Sequence, residues 1–180
     1  MISGNSIFKD RLQHPIASEK FTLHSRPVSE EIAAGYFFTH DGYEAQNSTI
    51  IQDGILQTFL LSLYGSRKTK RSRAVNDGGA YIIEAGATPV DDMIKSVYQG
   101  ILLSRFSGGN PSENGDFSGV AKNSYYIERG EIQYPLRETM ISGNLVKLFK
   151  NVRHISQERI NFGRAILPWM QVSDVNISGK

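Results

Sequence analysis

Short runs of β-branched and aromatic residues, cut by glycine-bearing turns, leave this chain little choice but a β-rich fold. Asn47-Ser-Thr-Ile-Ile-Gln52 leads into Asp53-Gly54 and then Ile55-Leu-Gln-Thr-Phe-Leu-Leu61. A type I′ turn needs positive φ at both central positions, so Asp-Gly between two such runs predicts a hairpin. A second hairpin is predicted from Asn123 to Leu136 around Arg129-Gly130. Further strands are predicted at residues 20–24, ended by Pro27, at 35–39 ahead of an Asp41-Gly42 turn, at 80–85, at 101–106 and through 165–177.

Helical signals are few. Pro89-Val90-Asp91-Asp92 reads as a helix start with Thr88 as N-cap. Met93, Ile94, Val97 and Tyr98 then share one face, and Gly100 stops the helix. Leu145, Val146, Leu148, Phe149 and Val152 mark a second amphipathic helix, capped within residues 142–144. Residues 62–72 read as a short basic helix or a loop. Residues 107–119, with four glycines, read as a loop longer than a simple connection needs. The expected fold is α+β and β-rich: antiparallel hairpins forming a mixed sheet, sandwich or open barrel with two short helices, in a single domain over residues 1–180.

One internal repeat stands out. Residues 45–60 placed over 121–136 match at Ala45/Ala121, Asn47/Asn123, Ser48/Ser124, Ile51/Ile127, Gly54/Gly130, Gln57/Gln133 and Leu60/Leu136. Duplication and the shared needs of similar hairpins both account for it, and one pair of copies is too few for a repeat array.

Composition removes whole classes of function. There is no cysteine, so disulfide frameworks, iron–sulfur clusters, zinc fingers and thiol nucleophiles are excluded. The net charge of +2, from 20 basic and 18 acidic residues, argues against a nucleic-acid sleeve. No apolar stretch approaches the ~20 residues of a membrane helix, and residues 1–10 lack a signal-peptide layout. A soluble, cytoplasmic chain is expected.

No complete catalytic constellation is present. The four histidines, His14, His24, His40 and His154, show no pair at the i, i+4 spacing of a helical metal site. His40-Asp41-Gly42 offers a carboxylate to orient an imidazole, or simply a polar turn. Adjacent carboxylates on a helix do not face each other, so Asp91 and Asp92 suit a helix N-terminus better than acid–base work. Residues 67–73 carry five positive charges, which suit either a phosphate or acidic partner or a solvated face, and aromatic residues are not interleaved with them.

Several ordered stretches resemble the TldD/PmbA family, the modulators of DNA gyrase now understood as a two-subunit protease of TldD and TldE (PmbA). They are Arg105-Phe-Ser-Gly-Gly109, Gly115-Asp-Phe-Ser-Gly119, Ile127-Glu-Arg-Gly-Glu-Ile-Gln-Tyr-Pro-Leu136 and Ile141-Ser-Gly-Asn144. Upstream, Phe21-Thr-Leu23, Asp41-Gly42, Ile51-Gln-Asp-Gly-Ile-Leu56, Leu61-x-x-Tyr-x-x-Arg-Lys68 and Asp91-Asp-Met93 follow in the same order. The resemblance spans residues 5–180 and implies the family's C-terminal β-rich domain, the N-terminal half being absent from the sequence. The zinc site of a TldD-type subunit uses a His-Glu-x-x-x-His helix, which would lie ahead of Met1, and a distant cysteine. Arg159-Ile-Asn-Phe-Gly163 is similar to the cysteine-bearing segment, with Phe162 at the cysteine's place.

Glu131-Ile-Gln-Tyr-Pro135 and Leu167-Pro168 are closer to the TldE/PmbA branch. The resemblance therefore implies a non-catalytic subunit, with no catalytic or metal-binding residue of its own and zinc only in a TldD-like partner. That pair would degrade or mature unfolded peptides. The glycines of residues 107–119 nominate Gly109, Asn110, Asp116, Phe117 and Ser118 for peptide or partner contact, since such a backbone can approach a ligand closely. An exposed sheet edge would supply a peptide with an added strand. The alternatives are a metallopeptidase active alone, drawing ligands from the scattered histidines; a gyrase- or DNA-binding module using residues 67–73; and a self-associating β domain.

Overall fold

The computed structural model describes residues 6–137 and 139–179. The chain runs β1 (Leu23–Ser25), β2 (Ser48–Gln52), β3 (Ile55–Leu56), α1 (Leu63–Thr69), β4 (Tyr81–Ile83), α2 (Val90–Lys95), β5 (Gln99–Leu102) and β6 (Arg105–Gly108). It continues through β7 (Asp116–Lys122), β8 (Tyr125–Glu128), β9 (Glu131–Pro135), β10 (Thr139–Asn144), α3 (Leu145–Lys150), β11 (Val152–Asn161), β12 (Ala165–Val172) and β13 (Asn176–Ser178). The fold is α+β and β-rich, and the described residues form three sheets with no closed barrel. Among the described residues three helices replace the expected two, because residues 62–72 resolve into α1, capped by Ser62 and closed by Lys70 at φ 54. The reading of residues 1–10 falls in part on positions outside the described residues.

The largest sheet runs β11-β12-β4-β1-β2-β3. All its pairings are antiparallel except β12 with β4. The main core packs Phe21, Ile50, Ile51, Leu56, Ile83, Val152 and Ile155 together. Phe149 of α3 closes over it, its ring centroid 5.4 Å from that of Phe21. Ile82, next to Ile83 on β4, points to the opposite face and joins Ile32, Ala80 and Ile166 in a smaller cluster. Both predicted hairpins form with the same two-residue turn. Asp53 and Gly54 have φ 49 and 77, Arg129 and Gly130 have φ 50 and 81. Ile51 opposes Leu56 just as Ile127 opposes Ile132.

The other two sheets, β13-β10-β7-β6 and β5-β8-β9, are two halves of one bent meander. Register is continuous across the bend: Gln99 opposes Glu128 in one half and Arg105 opposes Lys122 in the other, a six-residue step on each strand. The ladder breaks at Leu103-Ser104, opposite Asn123, whose φ is 52, and Ser124, which is fully buried. Ser124 Oγ accepts the Ser104 N–H at 3.2 Å. Its carbonyl accepts from Leu136 N at 2.8 Å.

Several expectations are corrected. Residues 107–119 are not one loop: β6 and β7 pair as far as Gly108 opposite Gly119, leaving only 109–115 unpaired. Residues 101–106 are likewise not one strand but parts of β5 and β6. Residues 35–39 make only the isolated bridge Phe38–Glu44, and Phe37 and Phe38, over 70% exposed, find nothing to pack on. Thr88 is not the cap of α2; the cap position is Pro89, and the distant Glu158 carboxylate accepts the Val90 N–H at 3.1 Å. α2 ends at Lys95, so Val97 and Tyr98 do not extend its face and Gly100 lies in β5. The first strand is shifted to residues 23–25, and β3 stops at Leu56. Val152 begins β11 rather than ending α3, and residues 165–177 divide between β12 and β13.

Candidate functional site

The bend in the meander creates a groove of about 740 Å³. Its floor is the inner face of the four-stranded sheet, where Phe106, Phe117 and Ile141 point inward. Each begins an apolar-Ser-Gly triplet: Phe106-Ser-Gly108, Phe117-Ser-Gly119 and Ile141-Ser-Gly143. Side chains alternate across a strand, so the apolar residue and the glycine share the groove face while the serine turns outward. Register then fits ring to glycine. A Cβ on Gly108 or Gly119 would lie 2.6 or 2.5 Å from the Phe106 ring, and one on Gly143 would lie 3.1 Å from the Phe117 ring. Both rings therefore reach over bare backbone, their centroids 5.9 Å apart and their planes edge to face.

One wall is α3, through Leu145 and Leu148, with the end of β12 at Met170. The other is β5, of which three consecutive residues, Gln99, Gly100 and Ile101, line the groove. A strand that lines a cavity with consecutive residues presents its edge. Arg129 N donates to Tyr98 O at 2.7 Å. Bonded and non-bonded pairs alternate along an antiparallel ladder, so the amides of Gln99 and Ile101 turn away from β8. Among the described residues β5 is an edge strand with no second neighbour in its sheet.

The five nominated residues divide by face. Gly109 and Phe117 line the groove. Asn110 is exposed in the 109–115 loop. Asp116 and Ser118 lie on the outer face of β7, and Asp116 Oδ1 accepts from Asn144 Nδ2 at 2.8 Å. Sequence reasoning missed Phe106, Ile141 and the β5 edge. The signal was present in the thrice-repeated apolar-Ser-Gly pattern, which marks strands carrying a ring on glycine rather than a flexible loop.

The histidines stay apart. His24 is buried between Thr49 Oγ1 and Glu84 Oε1, each at 2.9 Å. His40 meets a carboxylate, but it is Asp77 at 2.7 Å, while Asp41 accepts the N–H of Leu63, the first residue of α1. His154 lies 3.3 Å from Thr88 Oγ1, and His14 reaches the Leu12 carbonyl. Among the described residues no three His, Asp or Glu side chains converge on a point that a metal ion would fill. Asp92 serves the helix, pairing with Lys95 at 3.0 Å. The basic run is largely engaged with its own protein. Lys68, Arg71 and Arg73 lie over the rings of Tyr64, Phe59 and Tyr43, at 5.6, 5.0 and 3.9 Å. The aromatics absent from that stretch of sequence are thus supplied partly from elsewhere in the fold.

The sequence model of the PmbA/TldA metallopeptidase C-terminal domain matches residues 1–179. The chain belongs to this family. It is 34% identical over 186 residues to the metalloprotease PmbA homolog of Buchnera aphidicola and 28% identical to the metalloprotease PmbA of Escherichia coli, each match covering 96% of this chain. It spans 42% and 41% of the length of those relatives. Among solved structures, a putative modulator of DNA gyrase from Bacteroides thetaiotaomicron superposes with TM-score 0.89 at 26% identity, covering 99% of this chain and 41% of that one. TldE from Thermococcus kodakarensis shares the fold, with TM-score 0.81 at 20% identity, covering 99% and 44%. The groove floor is built from the very stretches that carry the family resemblance. The metal that the family name implies does not fit the residues present: the chain has no cysteine, and its described histidines and carboxylates do not converge. No helix among the described residues is long and apolar enough to cross a membrane.

Proposed function

We propose that this chain is part of a TldE/PmbA-like, non-catalytic subunit that pairs with a TldD-like zinc protease in the cytoplasm and shapes the cleft where an unfolded peptide is held. The observation that carries the reading is the groove: among the described residues, an apolar floor beside an unpaired β5 edge, in a domain of a metallopeptidase family whose described side chains assemble no metal site. An unpaired edge holds an extended chain through main-chain bonds, which suits unfolded substrates of many sequences. The surface supports a missing neighbour. The chain exposes 11260 Å², against about 8,700 Å² for a compact monomer of its mass, and the difference exceeds the roughly 800 Å² per partner of a standard interface.

The test is to mix the chain with a TldD-type subunit and follow mass by light scattering, zinc by emission spectroscopy and cleavage of an unfolded peptide. A stoichiometric complex, with zinc only in the partner and faster cleavage than the partner gives alone, is expected. Zinc bound at one equivalent by this chain alone, or no complex at all, overturns the reading.

A further inference from the structure

We infer that the groove over Phe106 and Phe117 is a side-chain pocket that selects an extended peptide carrying a large apolar residue over one carrying an acidic residue at the same place. This deepens the peptide-holding reading and rests on it. Main-chain pairing along β5 is indifferent to sequence, because every residue but proline offers the same amide. Any preference must come from what the added strand's side chains meet.

The geometry supplies that meeting place. Gly108, Gly119 and Gly143 leave room for the two rings to approach the sheet backbone where a Cβ would block them. The floor is thereby lowered, and the space above it is walled by Leu145, Leu148 and Met170. Several of these groups are open to water: Phe106, Met170 and Ile177 are 38–45% exposed. An aliphatic or aromatic side chain placed there would recover the apolar burial the groove lacks, at roughly 25 cal/mol for each Å² covered.

Charge narrows the ligand further. Among the described lining residues the one charged side chain is Asp174, and no lysine or arginine joins it. Asp174 Oδ2 accepts from Asn151 Nδ2 at 3.0 Å and Ser173 Oγ at 3.2 Å, which holds it at the exposed rim. Just outside the lining, Arg153 Nε donates to the same Ser173 Oγ at 2.9 Å, so Asp174 already has a cation close by and sets no demand for a basic residue. A peptide carboxylate over the floor would meet apolar side chains and no lining lysine or arginine to pair it. The occupant is thus an extended peptide with a large apolar residue over the floor, lying along the β5 edge.

The test is fluorescence anisotropy with labelled decapeptides of Gly, Ser and one Lys, differing only in a central Phe, Leu or Asp. The Phe and Leu peptides are expected to bind at least tenfold tighter than the Asp peptide. Gly119→Ala drives a methyl into the Phe106 ring and lifts it, which is expected to cut that ratio to about threefold or less. Ile177→Glu places a carboxylate at the exposed edge strand of the groove without disturbing the core. It keeps the test alive if Gly119→Ala fails to fold, and it is expected to weaken the Phe peptide tenfold. Ser142→Ala, on the outer face of the sheet, is expected to change nothing.

Equal binding of all peptides, or binding untouched by Ile177→Glu, overturns the inference. Dimerisation abolished by Ile177→Glu also overturns it, since the face then belongs to a second copy of this chain. If the chain still joins a TldD-type subunit while showing no peptide preference, the pocket fails and the subunit reading stands. If the preference holds but no complex forms, the subunit reading fails and the pocket stands.

Discussion

Tyr36 shows how one residue joins segments distant in sequence. Its hydroxyl donates to Gly78 O and accepts from Asp77 N, both at 2.8 Å. Burial raises its pKa above the ordinary value of 10.0; the charges of Asp77 and Tyr81 push the same way, and the Asp77 amide hydrogen bond opposes them. The folded protein therefore holds this proton more tightly than the unfolded chain does. The stability it contributes is fully present below the ordinary phenol range and is lost as pH rises through the raised pKa. Tyr36→Phe is expected to cost about 1–3 kcal/mol at neutral pH, because two polar partners are left behind. It is also expected to flatten the decline in stability above pH ~10; urea melts at pH 7 and pH 10.5 check both. An equally steep alkaline decline in the variant would assign the effect to another group.

At the scale of elements, the β8–β9 hairpin shows why one glycine is indispensable. Gly130 has φ +81, and a Cβ there would lie 2.6 Å from the Lys95 carbonyl oxygen at the end of α2. Gly130→Ala meets both a left-handed backbone, costing about 1–3 kcal/mol, and a backbone clash. It is expected to lower the melting temperature by several degrees and to loosen the seat of the hairpin beside α2, read as faster amide exchange at Arg129 and position 130, whose N–H groups donate to Tyr98 O and Val97 O. α3 begins in much the same local way in sequence and in structure. Asn144 Oδ1 accepts the Val146 N–H at 3.0 Å, while its Nδ2 ties down Asp116. Asn144→Ala is expected to cost about 1–2 kcal/mol in a denaturant melt.

Both hairpin turns were legible because Asp-Gly and Arg-Gly solve a local backbone problem. α3 was legible because its cap is adjacent to it. The start of α2 was misread because its N-terminal amide is satisfied by Glu158, which is 68 residues away. The 109–115 loop was overestimated for a related reason: glycine in sequence signals freedom, whereas Gly108 and Gly119 are fixed in strands beneath a ring. Phe117 and Gly109 could be nominated from that segment, but Phe106 and the β5 edge emerge only when strands are paired.

For the whole molecule, the excess of exposed surface is the observation with most consequence. Phe37, Phe38, Tyr98 and Phe162 stand 58–74% exposed, and Phe162 sits at the turn between β11 and β12. Isolated apolar residues on a surface are ordinary, but so large a total area is not. The chain alone is expected to bind a hydrophobic dye such as ANS, and a TldD-type partner is expected to suppress that signal in proportion to complex formed. Unchanged fluorescence at saturation would place the exposed surface outside the interface.

Sequence by itself determined the local geometry: which glycines turn the chain, where α3 begins, that no thiol chemistry is available, and which family's stretches recur. These follow from φ preferences, capping and residue chemistry, which act over a few positions. Tertiary structure alone decided that the three apolar-Ser-Gly triplets lie side by side, that rings cover glycines across strands, that β5 keeps a free edge and that the histidines stay apart. Those outcomes depend on register between segments tens of residues apart, and a one-residue slip would send every one of these side chains to the other face.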